Sequence, residues 1–278
     1  MTLNQIRHIL ETERIQLTKS LGQNFLHDAN QIRRIVDAAE IETTDRVLEI
    51  GPGLGALTQL LLEKVPEVLA LEKDQRLYEL LRVRWPSHQG LKLVHADALE
   101  YLHQHPTDWS DWKVASNLPY SVASSILVEF AKAATAPARM SITLQLEVAQ
   151  RLAAAPRAEG YGVLTLLVQL RYALLGMFKI PATCFFPVPD VDSACVILLH
   201  RPTPLLGPGQ FRSFEKIVKR GFSQRRKMMM KLLKADWPLA RLEGAFGELG
   251  ISPQARAETL SLEQYVELTK RLCHQELV

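Results

Sequence analysis

The chain has 278 residues, 47% of them hydrophobic and 23% charged, with a net charge of +3 and three cysteines. These are the proportions of an ordinary globular protein with room for one large domain and a smaller appendage, and no apolar run approaches the roughly 20 residues of a membrane span. Cys184, Cys195 and Cys273 stand far apart without a Cys-x-x-Cys pair, so neither a disulfide framework nor a zinc site is indicated.

Glu11 and Glu13 lie near the start without a hydrophobic signal core, so the expected location is cytoplasmic. Residues 4–16 have the spacing of a short helix. A polar, glycine-bearing loop follows from Lys19 to Asp28, with two apolar anchors, Phe25 and Leu26. Asp28 is placed to cap a helix that carries Ile32, Ile35, Val36 and Ala39 on one face. Arg46 to Ile50 is a short apolar strand running into Gly51-Pro52-Gly53-Leu54-Gly55-Ala56, after which Leu57, Leu60, Leu61 and Leu62 predict a helix. Glycines at this spacing let a backbone approach a ligand closely, at a helix end that offers unpaired N–H groups.

About twenty residues on, the strand Val68 to Leu71 ends at Glu72, placed to accept hydrogen bonds from ribose hydroxyls. A third strand, Leu91 to Val94, leads to Asp97, where a carboxylate can meet an adenine amine. A fourth, Trp112 to Ser116, delivers Asn117-Leu118-Pro119-Tyr120 ahead of a helix-like stretch from Ser121. The alternation implies parallel βαβ units, whose ligands bind at the carboxyl ends of the strands. Taken alone, Asn117 to Tyr120 reads first as a plain loop, and second as an amide, a rigid turn and a ring holding a planar, amine-bearing molecule.

Gly51, Gly53 and Ala56 also satisfy the dinucleotide pattern G-x-G-x-x-G/A, with Glu72 at the expected distance, which leaves an NAD-dependent oxidoreductase open. Glu49, two residues before Gly51, makes the run Glu-x-Gly-x-Gly-x-Gly. With Glu72 and Asp97 it forms a series of acids at successive strand ends, suited to the amino acid, ribose and adenine of a sulfonium cofactor.

Met140 to Leu146 is a fifth strand, followed by one helix with Glu147, Gln150, Arg151 and Leu152 and another from Tyr161 to Arg171. Ala173 to Ile180 and Val191 to Leu199 look like an antiparallel pair closing the sheet edge. Between them Phe185 and Phe186, amid prolines, are core plugs or a ring lining the cleft. The run Arg201 to Gly209 marks a domain boundary. Beyond it lie helices and a basic cluster, Arg212, Lys216, Lys219, Arg220, Arg225, Arg226, Lys227, Lys231 and Lys234, which is a phosphate-backbone surface or a solvated face. Met228 to Met230 reads as packing.

Together these motifs resemble the small-subunit ribosomal RNA dimethyladenosine transferase family. The resemblance is carried by Gly22-Gln23-Asn24-Phe25-Leu26, Glu49 to Gly55, Glu72-Lys73-Asp74, Asp97-Ala98, Asn117 to Tyr120, and Phe185 to Ser193. It implies an α/β fold: a Rossmann-like S-adenosylmethionine-dependent methyltransferase domain over residues 1–205 and a small all-helical, rRNA-binding domain over 206–278. It further implies transfer of methyl groups from S-adenosylmethionine to the N6 amines of two adjacent adenosines near the 3′ end of small-subunit rRNA. The expected setting is a monomer acting on a pre-small-subunit ribosomal particle, with no membrane partner. The cofactor would lie against Asn24, Leu26, Gly51, Gly53, Glu72, Asp97 and Asn117. Asn117 and the Leu118 carbonyl would accept the two amine N–H bonds, with Tyr120 and Phe185 stacking on opposite faces of the adenine. Arg220, Arg225, Arg226 and Lys227 would hold RNA. Ser121 stands where members commonly carry Asn, and either residue is able to cap the following helix. A large-subunit rRNA adenine-N6 methyltransferase, sharing these motifs, and a non-catalytic RNA-binding assembly factor are the remaining alternatives.

Overall fold

The computed structural model describes residues 1–17, 22–86 and 88–273. Lys19, Ser20 and Leu21 of the predicted loop lie outside them. In chain order the elements are α1 (Leu3–Thr12), β1 (Phe25–Leu26), α2 (Ala29–Ala38), β2 (Arg46–Ile50), α3 (Ala56–Leu62), β3 (Glu67–Glu72), α4 (Gln75–Arg84), β4 (Leu91–His95), α5 (Ala98–Gln104), β5 (Trp112–Asn117), α6 (Ala123–Lys132) and β6 (Arg139–Gln145). There follow α7 (Leu146–Ala153), α8 (Val163–Arg171), β7 (Tyr172–Ile180), β8 (Phe185–Phe186), β9 (Ser193–His200), α9 (Phe211–Phe222), α10 (Met229–Leu233), α11 (Leu239–Glu248) and α12 (Leu262–Cys273). Among the described residues no helix is long and apolar enough to cross a membrane.

Seven strands form one sheet in the order β4-β3-β2-β5-β6-β9-β7. Strands β4 to β6 pair in parallel, and β9 runs antiparallel to β6 with Ser141 opposite Ile197. The two strands expected to close the sheet are both at that end, with β9 inserted and β7 outermost. Their burial explains the order. Strand β9 buries Ala194, Cys195, Val196 and Leu198 on both faces, whereas β7 leaves Leu175 and Met177 exposed, as an outer strand can.

Asp28 caps α2 as its position predicts, its Oδ1 accepting the N–H groups of Asn30 and Gln31 at 2.9 Å each. The buried face of α2 (Ile32, Ile35, Val36) packs with Leu57 and Leu61 of α3 over Val47, Val68 and Ala115 of the sheet. Helix α6 is not capped by Ser121. Its first turn begins at Val122 with no side-chain cap, because the Pro119 carbonyl accepts both Val122 N–H and Ala123 N–H at 3.1 Å.

The chain forms two compact units, Met1–Ala149 with Ala173–His200, and Gln150–Tyr172 with the chain from Arg201 on. A single cut at residue 205 therefore departs from the contacts, which group α8 with the C-terminal helices. In that second unit Arg157 N–H donates to the Glu258 carbonyl at 2.8 Å and the Tyr161 hydroxyl to the Leu260 carbonyl at 2.8 Å. Phe214, Phe222 and Tyr265 form its aromatic centre, and Met229 and Met230 are buried as packing groups.

Candidate active site

The carboxyl ends of β2, β3 and β5 border a cavity of about 330 Å³ in the first unit. Its wall between β2 and α3 is the glycine loop. Gly51 and Gly53 adopt φ of 70° and 61°, the left-handed region that a side chain disfavours. A Cβ on Gly53 would stand 3.0 Å from the Phe25 ring, and one on Gly51 3.1 Å from the Pro119 ring. The loop is thus threaded between two other walls of the cavity, which only a residue without a side chain allows.

Asn117 is the last residue of β5. Its Nδ2 donates to the Asn24 carbonyl at 3.0 Å, which ties the strand end to the segment before β1. Its Oδ1 is buried and, among the described residues, accepts no hydrogen bond. A buried acceptor at a cavity wall without a donor is costly unless a ligand supplies one. Leu118, 2% exposed, also lines the cavity, and among the described residues its carbonyl accepts no hydrogen bond. Two neighbouring acceptors are therefore left for incoming N–H groups. The half-buried Tyr120 is fixed by a 2.6 Å hydrogen bond between its hydroxyl and Ser193 Oγ, and burial raises its pKa, so the phenol stays neutral at physiological pH.

The three acids differ in their surroundings. Glu49 is 1% exposed and accepts a 2.7 Å hydrogen bond from Thr58 Oγ1; burial pushes its pKa to about 8, with the neighbouring Glu72 adding to the shift. Glu72 accepts Gly53 N–H at 3.1 Å and Asp74 N–H at 2.8 Å, yet burial still raises it to about 7. Asp97 caps α5 through Leu99 N–H and Glu100 N–H, and the Lys73 ammonium at 2.7 Å holds its carboxyl below the usual range.

The sequence-predicted positions Asn24, Leu26, Gly51, Gly53, Glu72, Asp97, Asn117, Leu118 and Tyr120 all line this one cavity. Phe185 is not among its lining residues; its ring is 1% exposed and packs with Leu26, Ile35 and Cys195. Phe185 and Phe186 instead form β8, antiparallel to β1, with Leu26 opposite Phe185 and Phe25 opposite Phe186. Arg220, Arg225, Arg226 and Lys227 lie in the second unit, on the surface. Arg220 is engaged by Asp236 at 2.6 Å, whereas Arg225, Arg226 and Lys227 follow α9 with no ion pair among the described residues. Sequence reasoning missed Thr58, the support of Glu49, and Ser193, the anchor of Tyr120. Ser193 had a signal as the last residue of the Phe185 to Ser193 run; Thr58 had none.

The family profile described as "Ribosomal RNA adenine dimethylase" matches residues 14–274. The chain belongs to the ribosomal RNA adenine dimethylase family. Family relatives include a "Ribosomal RNA small subunit methyltransferase A" of Bacillus cytotoxicus, 36% identical over 98% of this chain and 96% of that one. Another of the same name, from Geobacter metallireducens, is 36% identical over 94% and 97%. Among solved structures, the 23S rRNA methyltransferase ErmE is 30% identical, with a TM-score of 0.68 over 89% of this chain and 99% of that one. A dimethyladenosine transferase from Plasmodium falciparum shares the fold, with a TM-score of 0.76 at 22% identity over 88% and 95%. Membership of the rRNA adenine dimethylase family removes the oxidoreductase reading that the glycine pattern left open. The antiparallel β9 agrees, since it departs from the parallel 3-2-1-4-5-6 order of dinucleotide folds.

Proposed function

We propose that the protein dimethylates the N6 amines of two adjacent adenosines near the 3′ end of small-subunit rRNA, using S-adenosylmethionine, as a cytoplasmic monomer acting on a pre-small-subunit particle. The observation that carries this reading is the buried Oδ1 of Asn117, followed in sequence by the Leu118 carbonyl, neither of which accepts a hydrogen bond among the described residues, at a cavity wall in a family of adenine dimethylases. The donor set also fits the cofactor: a side-chain-free turn at Gly51 and Gly53, Glu72 for ribose hydroxyls, Asp97 for an adenine amine, and Asn24 and Leu26 on the facing wall. When bound, S-adenosylmethionine supplies an electrophilic methyl group.

The exocyclic amine of adenine is a poor nucleophile because its lone pair is delocalised into the ring. Asn117 Oδ1 and the Leu118 carbonyl, by accepting its two N–H bonds, favour a tetrahedral nitrogen over the planar ground state. Tyr120 offers one face for stacking an extruded base, held in place by Ser193. No general base is needed, because the proton becomes acidic once nitrogen is alkylated and leaves to water. Glu72→Ala should weaken cofactor affinity by about ten-fold or more in calorimetry, and an unchanged affinity would remove the ribose role.

The second unit supplies the RNA surface in this reading, through Arg225, Arg226 and Lys227 with Arg220 beside them. Reversing charge at Arg225 and Arg226 should weaken binding to the particle and reduce the slope of log affinity against log salt by about 1.5. An unchanged slope would make the cluster a solvated face. A radiolabelled methyl-transfer assay on undermethylated small and large subunits tests the whole proposal. Label in small-subunit RNA is expected; label confined to large-subunit RNA would place the enzyme with its ErmE-like relatives.

A further inference from the structure

Asp74 precedes α4, and its Oδ1 accepts Arg76 N–H at 3.0 Å as an ordinary cap does. Asp28 caps α2 in the same way without being fully buried, so capping alone does not call for burial. Asp74 is only 5% exposed, and both of its oxygens are engaged by side chains. Oδ1 also accepts Arg76 Nε at 2.9 Å, while Oδ2 accepts Arg76 Nη2 at 2.5 Å and Gln23 Nε2 at 2.8 Å. The remaining nitrogen of the same guanidinium, Nη1, donates to the Gln16 carbonyl at 2.7 Å. One ion pair thus grips the amino-terminal chain at Gln16 and again at Gln23. The Arg76 guanidinium holds the Asp74 carboxyl down at about 2, so the pair is charged throughout the physiological range.

Gln23 is where this grip reaches the site. It lines the cavity next to Asn24, whose carbonyl accepts Asn117 Nδ2 at 3.0 Å. That bond fixes one side of the Asn117 amide, and with it the direction of Oδ1 on the other side. Asp74 and Arg76 are not themselves among the lining residues. Leu77 of α4 packs with Ile6, Leu10, Ile15 and Phe25, so the same helix also holds the amino-terminal chain through apolar contact.

We infer that Asp74 and Arg76 are positioning residues for methyl transfer: they clasp the chain at Gln23 so that the adjoining Asn24 carbonyl aims the Asn117 amide at the adenine. This rests on the role given to Asn117 above. The clasp requires a carboxylate, because Gln23 Nε2 and the Arg76 nitrogens are all donors. An amide in place of Asp74 would turn its own N–H groups against one of them.

The test is a double-mutant cycle on the full chain, with Asp74→Asn and Asn117→Ala made singly and together. Asp74 also adds its charge to that of Glu72, so single-turnover methyl transfer is measured at saturating cofactor. Asp74→Asn is expected to lower the rate by about ten-fold or more in the wild-type background, and by less than about two-fold once Asn117 is alanine. Gln23→Met removes the same link without changing charge, and should give both results even where Asp74→Asn does not fold. Equal losses in the two backgrounds, as an effect independent of Asn117 would give, overturn the inference. A folded variant with the wild-type rate does so too. Absence of methyl transfer by the wild-type protein would instead overturn the proposed activity. The clasp is then read in the free protein, where Asp74→Asn should speed amide hydrogen exchange over residues 22–27 by about ten-fold, and unchanged exchange overturns it.

Discussion

Replacing Asn117 with alanine is expected to lower turnover by about 10²–10³-fold, the loss found when one preorganised hydrogen-bonding group is removed from a transition-state site. Cofactor affinity should change far less. The expectation separates the two sides of one amide. Nδ2 is committed to the Asn24 carbonyl at 3.0 Å, and losing that bond should cost about 1 kcal/mol of stability. Among the described residues Oδ1 has no partner, so its loss costs the fold nothing directly and falls on the substrate. Single-turnover methyl transfer and cofactor titration on the same preparation check this. Wild-type turnover in the variant would remove Asn117 from the chemistry.

Gly53→Ala should be the most damaging change to the cofactor wall. An alanine at φ 61° costs about 1–2 kcal/mol in backbone strain alone. Its Cβ would also press on the Phe25 ring at 3.0 Å, and Phe25 is held by pairing with Phe186 across β1 and β8. Either the ring or the loop must move, and both line the cavity. We expect a fall of several degrees in Tm and cofactor affinity weakened by about ten-fold or more, read by thermal denaturation and calorimetry. A variant with wild-type affinity would mean that the loop does not approach the cofactor.

Much of this site was legible because its parts lie where strands end. Apolar runs such as Arg46 to Ile50 are long enough to mark a buried strand, and the next residue in each case is polar or glycine, so Gly51, Glu72 and Asn117 could be placed on one rim without any long-range information. Features made by partners distant in sequence were not legible. Phe185 and Phe186 are adjacent, so in a strand they face opposite ways, and nothing local says which one enters the core; the pairing with residues 25 and 26 decides it. The same holds for α8, which reads as a continuation of the sheet domain until its surroundings tie it to the chain beyond Arg201 through contacts such as Tyr161 with Leu260. Ser121 failed as a cap because a carbonyl two residues earlier, Pro119, had already taken the N–H groups.

Dimethylation by this protein is read out by nucleoside mass spectrometry of small-subunit rRNA after incubation of undermethylated particles with the protein and S-adenosylmethionine. N6,N6-dimethyladenosine is expected at two adjacent positions near the 3′ end. Unmodified small-subunit adenosines, with methylation found only in large-subunit RNA or nowhere, would contradict it.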